Sequence, residues 1–311
     1  MAFHRKQKYN DLGLDTKSAC DKSYRALNKN GSFNVVKKNV SFLERLNSYH
    51  SLVSMPWLHF FGVILLGYFC INIVFALLYM LIGVHHLTGI TATTPLTSFM
   101  EAFFFSAQTI TTLGYGRVAP VGMFANIVAA SESMLGLLTF ALATGLMYGR
   151  FSKPTPAIKY SDHAVMAPYQ NGHGFMFRIV NPKKNELLEV EVTLTLSLKK
   201  QNDQGRDFHL LEVERNKVSF FPTMWTVVHP ISTESPLHEI TAEEMLSRGA
   251  EFIVIIKAFD ESFSQTVYSR TSYIATEIKW NERFVYLTEQ FGNGLMVDVS
   301  RINETEKTHL T

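Results

Sequence analysis

Two cysteines in 311 residues are too few for a disulfide scaffold or a cysteine-based zinc site. Cys20 sits in a polar stretch and Cys70 in an apolar run, so no bond between them is expected. Charge is nearly missing from the middle of the chain. From Trp57 to Gly149 the charged side chains are Glu101, Arg117 and Glu132 alone. The net charge of +2 and mean hydropathy of +0.06 therefore average two unlike regions. That contrast excludes a soluble single domain, a disordered or collagen-like chain, and a strongly basic nucleic-acid-binding chain. Catalytic signatures are missing too: there is no nucleophile elbow, P-loop, dinucleotide glycine fingerprint or metal-spaced His/Cys set. Neither an enzyme nor a cofactor is expected. Residues 1–54 begin basic and polar, with no apolar core in the first thirty positions, so no cleavable signal peptide is expected.

The apolar runs define a membrane segment between two polar ones. Positions 57–84 exceed the roughly 20 residues that cross a bilayer as a helix, and a second span covers about 123–149. Trp57 and Tyr79 suit the two membrane interfaces. Between the spans, positions 97–110 read as a helix too short to cross, a re-entrant element started by Pro95 or Thr97. Glu101 in its second turn can meet the helix's positive end. Lys37, Lys38 and Arg45 precede the first span, and Arg150 and Lys153 follow the second, whereas Arg117 is the one basic residue between. The imbalance puts both termini on the cytoplasmic side of the cell (inner or plasma) membrane.

Residues 33–54 carry apolar side chains at spacings of three and four with basic residues interspersed. They read as an amphipathic helix on the inner membrane surface, or as an ordinary solvated helix.

Directly after the short helix come Thr111, Thr112, Leu113, Gly114, Tyr115 and Gly116. Two glycines around a tyrosine are by themselves only a turn signal. Set between a short helix and a span, they permit an extended strand whose carbonyls point one way. Four such strands around an axis replace the water shell of a potassium ion, a filter that the general account of potassium channels describes. K+ would then sit at Thr112, Leu113, Gly114 and Tyr115. Helix C-termini aimed at the cavity below would favour a cation there.

Here the chain resembles the inward-rectifier potassium channel family, particularly its prokaryotic branch. The likeness runs from about residue 33 to about 300. It includes AFFFSAQT before the hexapeptide, GLMYGRFSKP after the second span, HPISTESPL at 229–237 and YSRTSYIATEIKWNERFV at 268–285. The resemblance implies a homotetramer with a membrane α-helical pore, two transmembrane helices plus a re-entrant pore helix per subunit. An all-β immunoglobulin-like cytoplasmic sandwich follows the pore. The expected layout is an N-terminal tail over 1–32, the interfacial helix over 33–54, the pore domain over 55–153 and the sandwich over 154–311. The soluble part agrees, with short strands at 175–180, 187–198, 207–213, 224–229, 251–259, 265–270, 273–279 and 295–299, and one helix at 241–247.

Phe140, Thr144 and Tyr148 recur every four residues, a spacing that by itself suits helix packing. They match the family's pore-lining line, with Tyr148 at the bundle crossing that gates the pore. Gly145 and Gly149 form a small-residue pair, and Gly136 reads as a hinge or a packing glycine. Glu132, ionisable within a span, reads as filter support with Gln108 as its expected neighbour. Lys37, Lys38, Arg45, Arg150 and Lys153 are the expected contacts to anionic lipid. His85 and His86 are a metal or pH sensor, or a solvated pair.

Strong rectifiers of the family hold Mg2+ or polyamines on acids in the pore. Here Phe140 occupies the cavity position, and Glu189 remains in the cytoplasmic pore while Lys217 and Lys257 stand at two other acidic positions. Weak polyamine block is expected. A membrane-anchored adaptor and a nonselective cation channel are the competing readings.

Overall fold

The computed structural model describes residues 8–9, 25–36, 38–39, 48–154, 158–170, 172–183, 186–200, 205–221 and 223–308. It forms two compact units, Asn39–Lys153 and a second made of Met1–Lys38 with Pro154–Thr311.

In the first unit, a short helix α1 (Ser48–Ser54) precedes α2 (Trp57–Ile82), α3 (Pro95–Ile110) and α4 (Met123–Phe151). The basic positions Lys37 and Arg45 of the expected interfacial helix lie outside the described residues. Both α2 and α4 are long and apolar enough to cross a membrane, and most of their large apolar side chains face outward. α3 starts where capping chemistry allows. The Thr94 side chain accepts from the Thr97 N–H at 3.2 Å, the Thr94 N–H donates to Thr97 Oγ1 at 3.1 Å, and Pro95 takes the first helical position. Ala76, Tyr79, Ala102 and Phe105 form the centre of the small apolar core that joins α3 to α2. Tyr79, expected at an interface, is buried there instead, its ring edge-on to Phe105 with centroids 5.1 Å apart.

The second unit is a β-sandwich. Its strands are β1 (Lys159–Tyr160), β2 (Ala164–Tyr169), β3 (Gly172–Val180), β4 (Leu187–Lys199), β5 (Arg206–Leu211), β6 (Lys217–Phe220), β7 (Met224–Ile231), β8 (Glu251–Asp260) and β9 (Gln265–Ile274). After them come β10 (Ile278–Trp280), β11 (Glu282–Phe284), β12 (Thr288–Phe291), β13 (Gly294–Val297) and β14 (Thr305–Lys307), with helix α5 (Ala242–Ser247) between β7 and β8. One sheet runs β5-β4-β8-β9 with β6 also on β4 and the two-residue strand Lys8–Tyr9 on the edge of β5, and the other runs β7-β3-β2-β10 with β1 on β3.

Period-two patterning puts Val190, Val192 and Leu194 of β4 inside and Glu189, Glu191 and Thr193 outside. Phe175 of β3 stacks on Phe252 of β8, centroids 4.0 Å apart, to join the two sheets. The stretch expected as one strand over 273–279 is broken. A 3-10 turn at Ala275–Glu277 lets the chain leave one sheet at Ile274 and enter the other at Ile278. Residues 25–28 of the expected N-terminal tail are tied to the sandwich. The backbone N–H groups of Ala26 and Leu27 donate to the buried Glu251 carboxylate at 2.9 and 3.0 Å, and Arg25 pairs with Glu277 at 3.0 Å.

Candidate functional site

The end of α3 sets the geometry of the hexapeptide. The main-chain carbonyl of Gln108 accepts from the N–H groups of Leu113 at 2.8 Å and Gly114 at 3.3 Å, folding the strand back under the helix. Beyond that anchor the backbone alternates. Thr112, Gly114 and Gly116 have φ of 57°, 51° and 78°, whereas Leu113 and Tyr115 stay at negative φ. Alternation between mirror-related regions orients successive peptide groups alike, which ordinary strand geometry does not do. Glycine takes positive φ without penalty, but Thr112 is β-branched and holds this conformation at a cost of about 1–2 kcal/mol. All six residues are exposed in the single chain.

Behind this strand lies a polar cluster in an otherwise apolar bundle. Glu132 of α4 is completely buried. Tyr79 of α2 donates its hydroxyl to Glu132 Oε2 at 2.7 Å, and Ser106 of α3 touches Oε1. Ser106 Oγ also lies 2.9 Å from Asn72 Oδ1 on α2. The partners of Glu132 are thus Ser106 and Tyr79 rather than the expected Gln108, because Ser106 lies on the side of α3 turned to both long helices. Four residues after Glu132, Gly136 lets the helices approach: a Cβ there would lie 2.2 Å from the Ile110 carbonyl oxygen. It is a packing glycine.

Past the end of α3, the side chains of Phe140, Thr144 and Tyr148 are exposed in the single chain. Thr144 Oγ1 is turned back to the Phe140 carbonyl at 2.9 Å. Glu101, expected to serve the start of α3, accepts from the Thr91 N–H and hydroxyl at 3.4 and 3.2 Å and faces Arg117 at 3.5 Å. That pair ties the loop after the hexapeptide to α3.

Arg150, an expected lipid contact, is held by its own chain. Its guanidinium donates to the Leu52 and Met55 carbonyls, the latter at 2.7 Å, and lies over the rings of Trp57 and Phe60 at 4.4 and 4.5 Å. The end of α1 and the missing N–H of Pro56 leave those carbonyls without backbone donors, and Arg150 satisfies them. It is a tie between the end of α4 and the start of α2. Lys153 donates to Ser54 Oγ at 2.8 Å and remains exposed, as does Lys38. Gly149 faces the Tyr49 hydroxyl, whereas Gly145 has open space around it.

In the sandwich, Glu189 forms an ion pair with Lys217, and Lys257 faces Glu191 at 3.5 Å. The four lie on the outer face of adjoining strands β6, β4 and β8. The rings of His85 and His86 are 4.2 Å apart, and no group of three or more metal-ligating side chains exists among the described residues.

The sequence profile of the inward rectifier potassium channel C-terminal domain matches residues 158–311, and an ion channel profile matches residues 63–153. The inward rectifier potassium channel Kirbac3.1 of Paramagnetospirillum magnetotacticum is 33% identical over 265 residues, covering 84% of this chain and 88% of the relative. The chain belongs to the inward-rectifier potassium channel family. ATP-sensitive inward rectifier potassium channel 8 of Homo sapiens is 26% identical over 91% of this chain and 74% of its own length. Channel 11 of Oryctolagus cuniculus is 25% identical over 93% and 80%. Channels of this family are tetramers. The family is one of ion channels rather than enzymes.

Proposed function

We propose that this chain forms a homotetrameric, potassium-selective pore that conducts K+ passively across the cell membrane with both termini in the cytoplasm. The alternating backbone of residues 112–116 supports this reading most directly. Four copies present rings of carbonyls from Thr112 to Tyr115 that stand in for the hydration shell of K+. The carbonyl end of α3, anchored through Gln108, adds negative potential toward the cavity. Glu132 and its partners support the filter from behind.

Tyr148 closes the path at the narrow end of the bundle, and Arg150 transmits any shift of α4 to the turn before α2. Lys38 and Lys153, with Lys37 and Arg45, attract anionic lipid at about 1 kcal/mol per basic residue near the surface. Phe140 places no charge in the cavity. In the cytoplasmic pore, Lys217 and Lys257 balance Glu189 and Glu191, so Mg2+ and polyamines find no net negative patch and block weakly.

The test is potassium-isotope uptake into liposomes holding the purified tetramer, with Gly114→Ala beside it. Alanine meets no steric obstacle at position 114 but resists φ of 51°, at about 1–2 kcal/mol in each subunit. Wild-type uptake that Gly114→Ala abolishes, with the tetramer intact, supports the filter. Selective uptake by Gly114→Ala removes the filter assignment. Equal uptake of sodium by the wild type would favour a nonselective cation channel, and no uptake by the wild type a membrane-anchored adaptor.

A further inference from the structure

The contacts around Glu132 do not balance if its carboxyl is ionised. Ser106 Oγ touches both Asn72 Oδ1 and Glu132 Oε1, but a serine hydroxyl carries one proton and serves one acceptor. The orientation of Asn72 decides which. Its Nδ2 donates to the Tyr68 carbonyl at 2.7 Å. The reverse orientation would set two acceptor oxygens at that distance with no proton between them. Oδ1 therefore faces Ser106 and takes the serine proton. The contact between Ser106 and Glu132 then needs a proton from the other side, and the carboxyl is its one source.

We propose that Glu132 is a neutral carboxylic acid donating to Ser106, and that its proton is the link positioning the pore helix against both membrane helices. The resulting chain runs in one direction. Tyr79 O–H donates to Glu132 Oε2, Glu132 Oε1–H to Ser106 Oγ, Ser106 O–H to Asn72 Oδ1, and Asn72 Nδ2–H to the Tyr68 carbonyl. Each donor is used once and each acceptor is satisfied.

The surroundings agree. Glu132 is closed off completely by its own chain, so no partner subunit can bring a cation into contact with it. The basic side chains flanking these helices are spent elsewhere, Arg117 on Glu101 and Arg150 on the Leu52 and Met55 carbonyls. A buried carboxylate without a cation is costly, whereas a neutral acid can act as a hydrogen-bond donor at membrane depth. The three helices meet at this one polar point, and Ser106 sits two residues before Gln108, whose carbonyl anchors the filter strand.

The role of this link in conduction rests on the channel reading given above, but the protonation state does not. The experiment uses the full-length tetramer in lipid, examined by infrared difference spectroscopy and by potassium-isotope uptake. Wild type should show the carbonyl stretch of a protonated acid that disappears in Glu132→Gln. Ser106→Ala should shift that band upward without abolishing it, since the acid keeps its proton and loses its acceptor. Glu132→Gln, which donates and accepts at the same two points, should keep the assembled tetramer and its selective uptake, while Glu132→Ala should lose them. Absence of a band assignable to position 132, or loss of assembly in Glu132→Gln equal to that in Glu132→Ala, overturns the proposal. A band present without uptake in any variant would leave the proton in place and refute the channel reading instead.

Discussion

Gly136→Ala is the substitution whose cost follows most directly from the structure. A Cβ at this position would stand 2.2 Å from the Ile110 carbonyl oxygen, 2.9 Å from its carbon and 3.0 Å from Ile110 Cγ1. Ordinary contact needs about 3.5 Å, so α4 and the end of α3 must separate by roughly an ångström. The obstacle is backbone, so no rotamer change relieves it. Overpacking of this kind costs about 1–3 kcal/mol, in each of four subunits.

The displaced carbonyl belongs to the last residue of α3, immediately before Thr111, so the shift reaches the filter anchor. Gly136→Ala should lower the thermal stability of the tetramer and reduce the preference for potassium over sodium. Gly62→Ala on α2 is the control: nothing lies within 4 Å, and helix propensity alone should stabilise by about 1 kcal/mol. Both variants are measured by thermal dissociation of the tetramer and by ion uptake. Wild-type stability and selectivity in Gly136→Ala would refute the packing assigned to this position.

Phe140→Asp should convert weak spermine block into tight, steeply voltage-dependent block, because four carboxylates in a confined cavity favour a multivalent cation even when some stay protonated. A conducting mutant without this gain would show that position 140 does not line the ion path. The stability of the sandwich should fall on acidification through His229. Burial lowers the affinity of this imidazole for protons, and its two nitrogens are engaged by the Glu212 carbonyl at 2.6 Å and Ser235 Oγ at 2.7 Å. The unfolded chain therefore binds more protons below its ordinary value near 6.5, and stability present above that value is lost as pH drops, at no more than about 1.4 kcal/mol per pH unit. His163, lowered chiefly by burial, adds in the same direction. Thermal melts of the full-length protein between pH 7.5 and 5.5, about a unit either side of the unfolded value, check this, and His229→Gln should flatten the dependence.

The elements that depend on local chemistry were legible in the residues alone. Apolar length marks α2 and α4, and Pro95 marks the start of α3, whereas the capping role of Thr94 emerges only in the structure. Strict alternation marks β4. What was not legible depends on residues far apart in the chain. Nothing in local periodicity pairs Glu132 with a serine 26 positions away and a tyrosine 53 away, or spends Arg150 on carbonyls nearly a hundred residues earlier. The strand at Ala164–Tyr169 is obscured by Pro168, which sits beside its hairpin end where a missing N–H is tolerated. The switch of sheets at Ala275–Glu277 leaves no break in a continuous β-rich pattern. In the hexapeptide, the glycines signal positive φ at 114 and 116, but Thr112 gives no such signal, since its conformation is imposed by the neighbouring alternation.

Selective conduction through residues 112–116 is read from the reversal potential. Current is recorded from the purified tetramer in a planar bilayer with potassium on one side and sodium on the other. The wild type should reverse far toward the potassium equilibrium value, and Gly114→Ala should abolish both that preference and the current. A reversal potential near zero in the wild type, with current flowing, would contradict it.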